Sequence, residues 1–507
     1  MGGHYENDIM RQLQEVLARC DKLDKKVDDT KTAWKKEVKQ IKSDFAVERK
    51  QFKGKIKELE TELTTVKTEN KKLKKRVVEL ETENSKLRSQ LNNDSTNSSL
   101  PPSTDQKGKR ANTYNSREKS NKPSGGQCGH KGKTLTAEKI KRKIESGDLK
   151  HSIVEIGSTD KPYAVRYVVD FDITAIVKEL HFHADENGKI IIPEEYRAVV
   201  TYGEVIKAMA VQLYSEGVVS NDRICEFLNS ISDNKIEIAT GSVYNFIKNF
   251  SKRSEEKIAE ITEKLKESEV VYTDATNITV NGKQAYIRNQ STEEVVLYSA
   301  MNKKSKEEIE EKTMLKDYEG ILIHDHETSM YSYGTKHGEC IVHLLRYLKK
   351  NTEETKNDWS DKLTGFFVML NKERKSKKEK GEWFSSGEYT QYSCEYDKIV
   401  KRGYKQNGTT ESKYAKAEEI KLLNRLKKYK ENHLMFVKDN RVSFDNNLSE
   451  RDLRKCKNRQ KMAGGFRTET GHEMYCRILS VIETCKRRKE NIFEYIKGVF
   501  AKAPVSV

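Results

Sequence analysis

Long apolar runs are absent from this chain of 507 residues, and none approaches the roughly 18–20 residues that a membrane-spanning helix requires. The opening residues, MGGHYENDIMRQ, also lack the charged and apolar regions of a secretory signal peptide. We therefore expect no membrane partner and a cytoplasmic location.

Closely paired cysteines are absent too. The eight Cys residues are scattered along the chain and none forms a C-x-x-C pair. This spacing argues against a disulfide framework and against a zinc ribbon. Free thiols in a reducing compartment are the simplest interpretation.

Acidic residues are in deficit, since 79 Asp and Glu face 96 Lys and Arg, which gives a formal charge of +17. Such a balance favours a polyanionic partner, most simply nucleic acid, although a Lys-rich composition can also serve solubility alone. Apolar residues make up 35% of the chain and charged residues another 35%. The length predicts two or three structural units joined by solvated helix or linker.

The first unit, residues 1–96, reads as one long polar helix. Apolar residues recur at alternating spacings of three and four, which is the a/d seam of a coiled coil. Asn70 and Asn84 both fall at a positions, where paired Asn side chains favour a parallel two-stranded coil. We interpret the unit as a dimerisation helix; the alternative is a single solvated helix. The seam positions are Ile56, Leu59, Leu63, Val66, Asn70, Leu73, Val77, Leu80, Asn84, Leu87 and Leu91.

A Ser/Gly/Pro-rich basic linker is predicted over residues 97–149. Its Lys and Arg side chains suit a phosphate backbone, although a flexible tether would look similar. The candidate DNA-binding residues here are Lys107, Lys109, Arg110, Arg117 and Lys131.

Residues 150–200 alternate in the manner of strands and predict a small strand-rich module. Residues 201–266 read as short helices, with Ser220 or Asn221 and Thr240 as plausible N-caps and Gly217 as a stop. Two of these helices suggest a helix-turn-helix, in which Asn245 and Lys248 would contact DNA; a plain helical hairpin is the alternative.

Acidic residues end two apolar strands in the C-terminal half. VVYTDAT places Asp274 and GILIHDHET places Asp325 at a strand end. Further along, FDNNLSERDLR starts a helix that carries Glu450 and Arg454 on one face. Two strand-end Asp residues and one helical Glu are the usual components of a two-metal phosphoryl-transfer site.

These motifs resemble those of the insertion sequence 66 family of DDE transposases. The match rests on Asp274-Ala275-Thr276, His324-Asp325, Cys340-x-x-His343 with Arg346, and Asp445-Asn446-Asn447 with Glu450-Arg451 and Arg454. The linker motifs NSSLPPSTD and GGQCGHKG also match that family. The resemblance extends from about residue 92 to nearly the C-terminus.

The resemblance implies an α+β multidomain protein with a ribonuclease-H-like α/β catalytic domain over 267–350 and 433–495, next to the coiled-coil helix and a small mixed DNA-binding region. A helical Lys/Glu-rich insertion, expected to be a solvated lid, would fill 351–432. In that fold the first and fourth strands lie side by side, which would bring Asp274 next to Asp325.

The resemblance further implies that Asp274, Asp325 and Glu450 hold Mg²⁺, for which Mn²⁺ can substitute. Family members usually carry paired Cys in a zinc-binding module at 150–200, but this chain has only His181 and His183 there, so no zinc is expected. Supporting roles fall to His343, Asn447, Arg451 and Arg454, and further DNA contacts to Arg459, Lys461 and Arg467. A packed helical histidine is an equal alternative for His343.

The favoured function is therefore a bacterial, nucleoid-associated transposase that cleaves and joins DNA at the ends of its own element. It would act as a homodimer or larger assembly, possibly with accessory proteins of the same element. The alternatives are a catalytically decayed coiled-coil DNA-binding protein and a structural coiled-coil protein.

Overall fold

The structure is a computed structural model that describes residues 3–94, 97, 136–153, 165–169, 171, 173–184, 186–193 and 196–501. The chain divides into two compact units, Met1–Leu91 and Asn92–Val507. The predicted linker motifs, NSSLPPSTD and GGQCGHKG, lie almost entirely outside the described residues.

The first unit is a single helix, α1 (Gly3–Leu91), as the heptad pattern predicts. The apolar seam positions are solvent-exposed along this helix; Leu63 is 54% exposed and Leu73 is 65% exposed. Single helices of this length gain little from propensity alone and are stabilised chiefly by packing of an apolar face. The exposed seam is thus suited to pairing with another helix.

The second unit combines one sheet with helices on both sides. The described helices are α2 (Ala137–Glu145), α3 (Glu204–Glu216), α4 (Asn221–Ile231), α5 (Thr240–Arg253), α6 (Glu255–Lys266), α7 (Lys306–Lys312), α8 (Ile341–Thr355), α9 (Asp358–Glu379), α10 (Ser386–Asn407), α11 (Lys413–Lys428), α12 (Lys430–His433), α13 (Met435–Lys438), α14 (Asn447–Ala463), α15 (Glu469–Arg487) and α16 (Ile492–Ala501). The strands are β1 (Val270–Val280), β2 (Lys283–Ser291), β3 (Val296–Met301), β4 (Ile321–His324) and β5 (Lys336–Glu339).

The five strands lie in the order β3-β2-β1-β4-β5. The first three pair antiparallel, whereas β4 runs parallel to both β1 and β5. The predicted sequence of three strands, a helix and a fourth strand is confirmed, as is the pairing of β1 with β4. The short strand β5 was not predicted, because KHGE has no apolar pattern.

Both faces of the sheet are covered, and β4 shows this most simply. Ile321 and Ile323 pack in a core with α8 and the following helices, whereas Leu322 between them packs on the opposite face. Alternate side chains of a strand point to opposite faces, so a strand buried on both sides reads as a continuous apolar run. This explains the ILIH sequence of β4.

Helices α3, α4 and α5 confirm the predicted short helices, and they share one core with β1–β3, α15 and α16. Ser220 caps α4 by accepting a hydrogen bond from the Arg223 N–H. Thr240 does not act as an N-cap. The cap position is Ala239, and the Thr240 hydroxyl instead donates to Asp222 Oδ1 at 3.0 Å, which ties α5 to α4.

The predicted insertion at 351–432 is helical, as expected, but it is more than a solvated lid. Helices α9, α10 and α11 bury Trp359, Phe367, Tyr396 and Leu423 in a core that continues to β4 and α8. Its polar centre is the buried Glu419, which accepts hydrogen bonds from the Trp359 indole N–H at 2.6 Å and from three Asn side chains and Thr410. The insertion is therefore a rigid extension of the sheet domain.

Strands are not found in the described residues between 150 and 200, where alternation predicted several. A single bridge, Ala184 to Ile190, is present in that part. Alternating side chains indicate a strand only when another segment supplies hydrogen bonds, and Phe171 and Val177 are each at least 90% exposed here. Among the described helices, none is long and apolar enough to span a membrane.

Candidate active site

Asp274 lies within β1, which continues to Val280, and not at a strand end as predicted, because the polar residues after Asp274 still pair with β2. Its backbone N–H donates to the side-chain oxygen of Asn289 on β2 at 3.1 Å. Its own carboxylate accepts a hydrogen bond from the Ala275 N–H at 2.7 Å. Asp274 is thus fixed in both backbone and side chain.

Asp325 follows directly after β4. The parallel register pairs Tyr272 of β1 with Ile323 of β4. Asp274 and Asp325 each lie two residues further along, so the same register brings them next to each other. The loop after Asp325 is held by the fully buried Arg288, whose guanidinium donates to both oxygens of Glu327 at 2.7 and 2.8 Å. Both bonds come from one guanidinium nitrogen, and such hydrogen bonds between charged groups are stronger than those between neutral groups.

Glu450 lies in the first turn of α14. The start of this helix is fixed to the sheet by Asn446, which is fully buried and whose side-chain amide donates to the Thr273 carbonyl at 2.9 Å. Asn446 occupies the N-cap position, but its side chain reaches β1 and does not cap α14. Glu450 is thereby held close to the part of β1 that carries Asp274.

Asn289 joins the first and third acidic residues. Its side-chain oxygen accepts hydrogen bonds from the Asp274 N–H and from the Ser449 hydroxyl, the latter at 2.6 Å, and its amide donates to the Ser449 carbonyl at 3.2 Å. Sequence analysis missed this residue. The signal was present, because Arg288, Asn289, Gln290 and Ser291 form a polar run inside a strand, and all four are fully buried.

The three carboxylates share one electrostatic environment. Burial and the negative charges of Asp325 and Glu450 together raise the pKa of Asp274 to about 7. Carboxylates that share a site repel one another in this way, so that one of them retains its proton at an unusually high pH. A bound cation would therefore stabilise the ionised form of these three carboxylates.

His343 and Cys340 border the same site. Cys340 precedes α8 and His343 lies in the first turn of that helix, where its Nδ1 is 3.7 Å from Glu450 Oε1. Burial lowers the pKa of His343, and the neighbouring Glu450 charge acts in the opposite direction. The sulfur of Cys340, the ring of His343 and the carboxylate of Glu450 present ligand atoms within 4.8 Å of one another.

Comparison with protein families agrees with this arrangement. The profile of the Transposase IS66 family matches residues 200–474, which is more than half of the chain and includes all three carboxylates. This chain belongs to that family. A second profile, described as a family of unknown function (DUF6444), matches residues 37–136. No curated protein matches the chain.

Membership makes the chain a transposase, a class of enzyme that cuts and joins DNA, and makes DNA its expected partner. The predicted supporting residues Asn447, Arg451 and Arg454 are exposed in the transposase, and so are two predicted DNA-contacting residues, Lys461 and Arg467. The first three follow Asp445 on α14, and the other two lie at or beyond the end of that helix.

Arg459 does not lie at the surface of the transposase. Its guanidinium is buried between the rings of Tyr214 and Tyr475, each 4.5 Å away, with Phe466 at 5.0 Å. A DNA contact by this side chain does not fit that position. Alternation of exposed and buried faces along α14 explains the difference, because Arg459 falls on the same face as Cys456 and Asp452, which are also buried.

Gln460 ties the end of α14 to β1 in the transposase. Its side chain accepts a hydrogen bond from the Thr279 N–H at 2.9 Å and donates to the Thr279 hydroxyl at 3.0 Å. Gly465 follows with a φ of 125°, and a β-carbon at that position would collide with the Thr279 carbonyl. Gly465 therefore permits close approach to the β1 backbone, whereas Gly464 ends α14 in the left-handed conformation.

Asn245 and Lys248 are exposed on α5 of the transposase, opposite its buried face of Val243, Ile247 and Phe250. The turn that precedes α5 contains Asp233 and Asn234 in the left-handed conformation. The remaining candidate contacts, Lys107, Lys109, Arg110, Arg117 and Lys131, lie outside the described residues.

A buried charged network lies next to the loop that follows Asp325. Glu339 of β5, which is 3% exposed, contacts Arg425 at 2.7 Å, His326 at 3.1 Å and His433 at 3.2 Å, and accepts a hydrogen bond from Tyr331. Burial alone would raise the pKa of Glu339, but these cationic partners outweigh it and hold the pKa well below its usual range. The network connects the helical insertion to the loop that follows Asp325.

Proposed function

We propose that this transposase cleaves and joins DNA at the ends of its own insertion sequence by two-metal phosphoryl transfer. Asp274, Asp325 and Glu450 would hold the metal ions, with Mg²⁺ as the physiological ion and Mn²⁺ as a substitute. The proposal assigns residues 267–350 and 433–495 to a ribonuclease-H-like catalytic domain. The sheet order, with β1 beside a parallel β4, supports that assignment.

The observation that carries the proposal is the placement of Asp274 on β1 and of Asp325 at the end of the adjacent parallel strand β4, with Glu450 linked to Asp274 through Asn289 and Ser449. A buried carboxyl that feels the charges of Asp325 and Glu450 is destabilised in its ionised form. Carboxylate oxygens are the preferred ligands of Mg²⁺, and a divalent cation would relieve this repulsion. The donor set therefore fits the metal that the chemistry requires.

Each protein residue then has a separate task in phosphodiester cleavage. When bound, a pair of divalent ions activates the attacking oxygen and stabilises the leaving oxygen. The Ala275 N–H and the Asn289 side chain hold Asp274, so its carboxylate is oriented before any substrate binds. Asn289 and Asn446 keep Glu450 beside Asp274, and Arg288 holds the loop after Asp325. This preorganisation limits the reorganisation needed during the reaction.

Exposed cations supply the proposed DNA surface. Arg451 and Arg454 extend from the helix that carries Glu450, and Lys461 and Arg467 continue beyond it, while Asn245 and Lys248 lie on α5. Arg and Lys contacts of this type neutralise phosphates and release counterions, which makes binding strongly dependent on salt. His343, beside Glu450, would lie near the scissile phosphate.

The exposed seam of α1 supports assembly as a homodimer through a parallel coiled coil. Asn70 and Asn84 at a positions would set its register. A dimer presents two catalytic units, which suits the simultaneous handling of two element ends.

A strand-transfer assay tests the proposed function. Labelled DNA that carries the inverted repeats flanking the gene is incubated with the protein and Mg²⁺ or Mn²⁺. The wild type is compared with Asp325→Asn and with Asp361→Asn, which changes an exposed carboxylate on α9. We expect metal-dependent cleavage and joining by the wild type and by Asp361→Asn, and a loss of at least about a hundredfold in Asp325→Asn.

Two other outcomes would contradict the proposal. DNA binding by the wild type without metal-dependent cleavage would favour the second function, a coiled-coil DNA-binding protein that has lost its chemistry. Equal activity of Asp325→Asn and the wild type would place the chemistry elsewhere in the chain.

A further inference from the structure

The cluster of Cys340, His343 and Glu450 contains ligand types that Mg²⁺ does not prefer. Thiolate and imidazole are soft or borderline donors, which select Zn²⁺ and related transition metals, whereas Mg²⁺ is held by oxygen. A thiol and an imidazole separated by two residues, completed by a carboxylate from elsewhere in the chain, form a familiar set for a divalent transition metal. The cluster therefore differs in chemistry from the set of three carboxylates.

The positions of the three side chains suit a shared ion. Their ligand atoms lie within 4.8 Å of one another, and His343 Nδ1 is 3.7 Å from Glu450 Oε1. Ligands around a tetrahedral zinc, each about 2.0–2.3 Å from the metal, are separated by somewhat less than this. A small inward movement of side chains would close the cluster around one ion.

His343 provides an independent indication of a ligand. The residue is 8% exposed, yet its buried Nδ1 has no hydrogen-bond partner among the described residues. Buried polar atoms are nearly always paired, and an unpaired one requires an explanation such as an ion. This nitrogen is directed towards the Glu450 carboxylate and so into the cluster.

Cys340 carries a thiol whose pKa is raised by burial and by the charge of Glu450, so an ion must displace its proton before the sulfur can act as a thiolate. Its sulfur accepts a hydrogen bond from the Asn446 N–H at 3.3 Å, and the residue directly precedes the 15-residue helix α8. A backbone N–H donor and a helix N-terminus both stabilise negative charge on sulfur. Hydrogen bonds of this kind are common around metal ligands and orient them.

We propose that Cys340, His343 and Glu450 form a site for one thiophilic divalent ion, of the Zn²⁺ class, with solvent at the fourth position. On binding, the Cys340 thiol releases its proton to solvent, and the thiolate, the His343 nitrogen and the Glu450 carboxylate displace water from the ion. Glu450 is partly exposed at 24%, which gives the ion and its solvent ligand access from outside.

This site has a regulatory consequence that rests on the proposed function. Glu450 is also the third carboxylate of the proposed catalytic set, so an ion held by Cys340 and His343 would withdraw it from the Mg²⁺ pair. Zn²⁺ would then inhibit strand transfer by competing for one side chain. Metal binding at the cluster does not itself depend on catalysis.

Cobalt binding to the full chain tests the site without DNA. Co²⁺ replaces Zn²⁺ and gives a thiolate-to-metal charge-transfer absorption when sulfur is a ligand. The wild type is compared with Cys340→Ser and with Cys394→Ser, which changes an exposed cysteine on α10. We expect one Co²⁺ for each wild-type chain, with the absorption retained in Cys394→Ser and lost in Cys340→Ser.

Two further variants keep the test independent of folding defects. His343→Gln and Glu450→Gln leave the sulfur in place, and each should weaken Co²⁺ binding at least about tenfold. Circular dichroism establishes that each variant is folded. A wild type without the charge-transfer absorption, or an unchanged absorption in Cys340→Ser, would overturn the proposal. Strand transfer with Mg²⁺ is measured in a separate experiment. Failure of the cobalt test would therefore not contradict the proposed function, and failure of the strand-transfer assay would not contradict the metal site.

Discussion

Divalent metal binding should be linked to protonation of Asp274. Burial, together with the charges of Asp325 and Glu450, raises the pKa of this carboxyl to about 7, whereas its ordinary value is 3.8. A metal ion binds the ionised form, so it must displace a proton wherever the pH lies below about 7. With that pKa, about one chain in eleven has Asp274 ionised near pH 6, and about ten in eleven near pH 8.

The apparent affinity for Mg²⁺ or Mn²⁺ should therefore be about tenfold weaker at pH 6 than at pH 8. Isothermal titration calorimetry at both pH values measures it, and Mn²⁺ can be followed by electron paramagnetic resonance. Repeating the calorimetry in buffers of different ionisation enthalpy counts the proton released. Asp361→Asn provides the control, because this exposed carboxylate should not alter the dependence.

The same pKa predicts the opposite trend for the stability of the metal-free protein. Because the pKa of Asp274 is raised by folding, the protonated form favours the fold. Its contribution is complete below about pH 4 and is lost as the pH rises through about 7. Added Mg²⁺ should reverse the loss, and Asp274→Asn, which cannot ionise, should remove this part of the pH dependence. Equal metal affinity at pH 6 and pH 8 in the wild type would refute this account of the site.

Three further predictions concern other parts of the chain. Glu339→Gln removes the buried anion that faces Arg425 and two histidines, so it should lower the free energy of unfolding by about 3 kcal/mol and lower the Tm. Asp361→Asn is the control and should leave the Tm unchanged. An unchanged Tm in Glu339→Gln would contradict the stabilising role of the network. Replacing Leu63 and Leu73 together by Lys should convert the proposed dimer to a monomer, because two charges then lie in the apolar seam. Multi-angle light scattering measures the mass, and a dimer that persists would show that α1 is not the interface. Arg454→Ala should reduce the slope of the logarithm of DNA affinity against the logarithm of salt concentration by about one, which corresponds to one lost phosphate contact. An unchanged slope would show that Arg454 does not contact DNA.

The sequence predicted the fold best where one physical signal dominated. The heptad seam predicted α1, and short strand-like segments predicted β1–β4, although β2 buries a polar run that an apolar pattern does not explain. The same reasoning failed for β5 and for residues 150–200. In the first case a polar strand lies at the sheet edge, and in the second alternating residues found no partner strand among the described residues.

The candidate site was predicted in its charged residues and missed in its neutral ones. Asp274, Asp325 and Glu450 could be recognised because they interrupt apolar strands or begin a helix in a family motif. Asn289 and Asn446 act through hydrogen bonds between segments far apart in sequence, and a single sequence does not reveal such pairs. Arg459 shows the converse: a cation in a basic helix suggested DNA, but helical periodicity turned it towards three aromatic rings.

The hydrogen bond between Asn289 and Ser449 spans 160 residues of chain, and the whole helical insertion lies between them. A nascent polypeptide therefore has no complete set of carboxylates until α14 has been synthesised and has docked on the sheet. Truncated copies that end within the insertion should be unable to cleave DNA. The position of Glu450 so late in the chain thus ties the capacity to cut DNA to completion of the polypeptide.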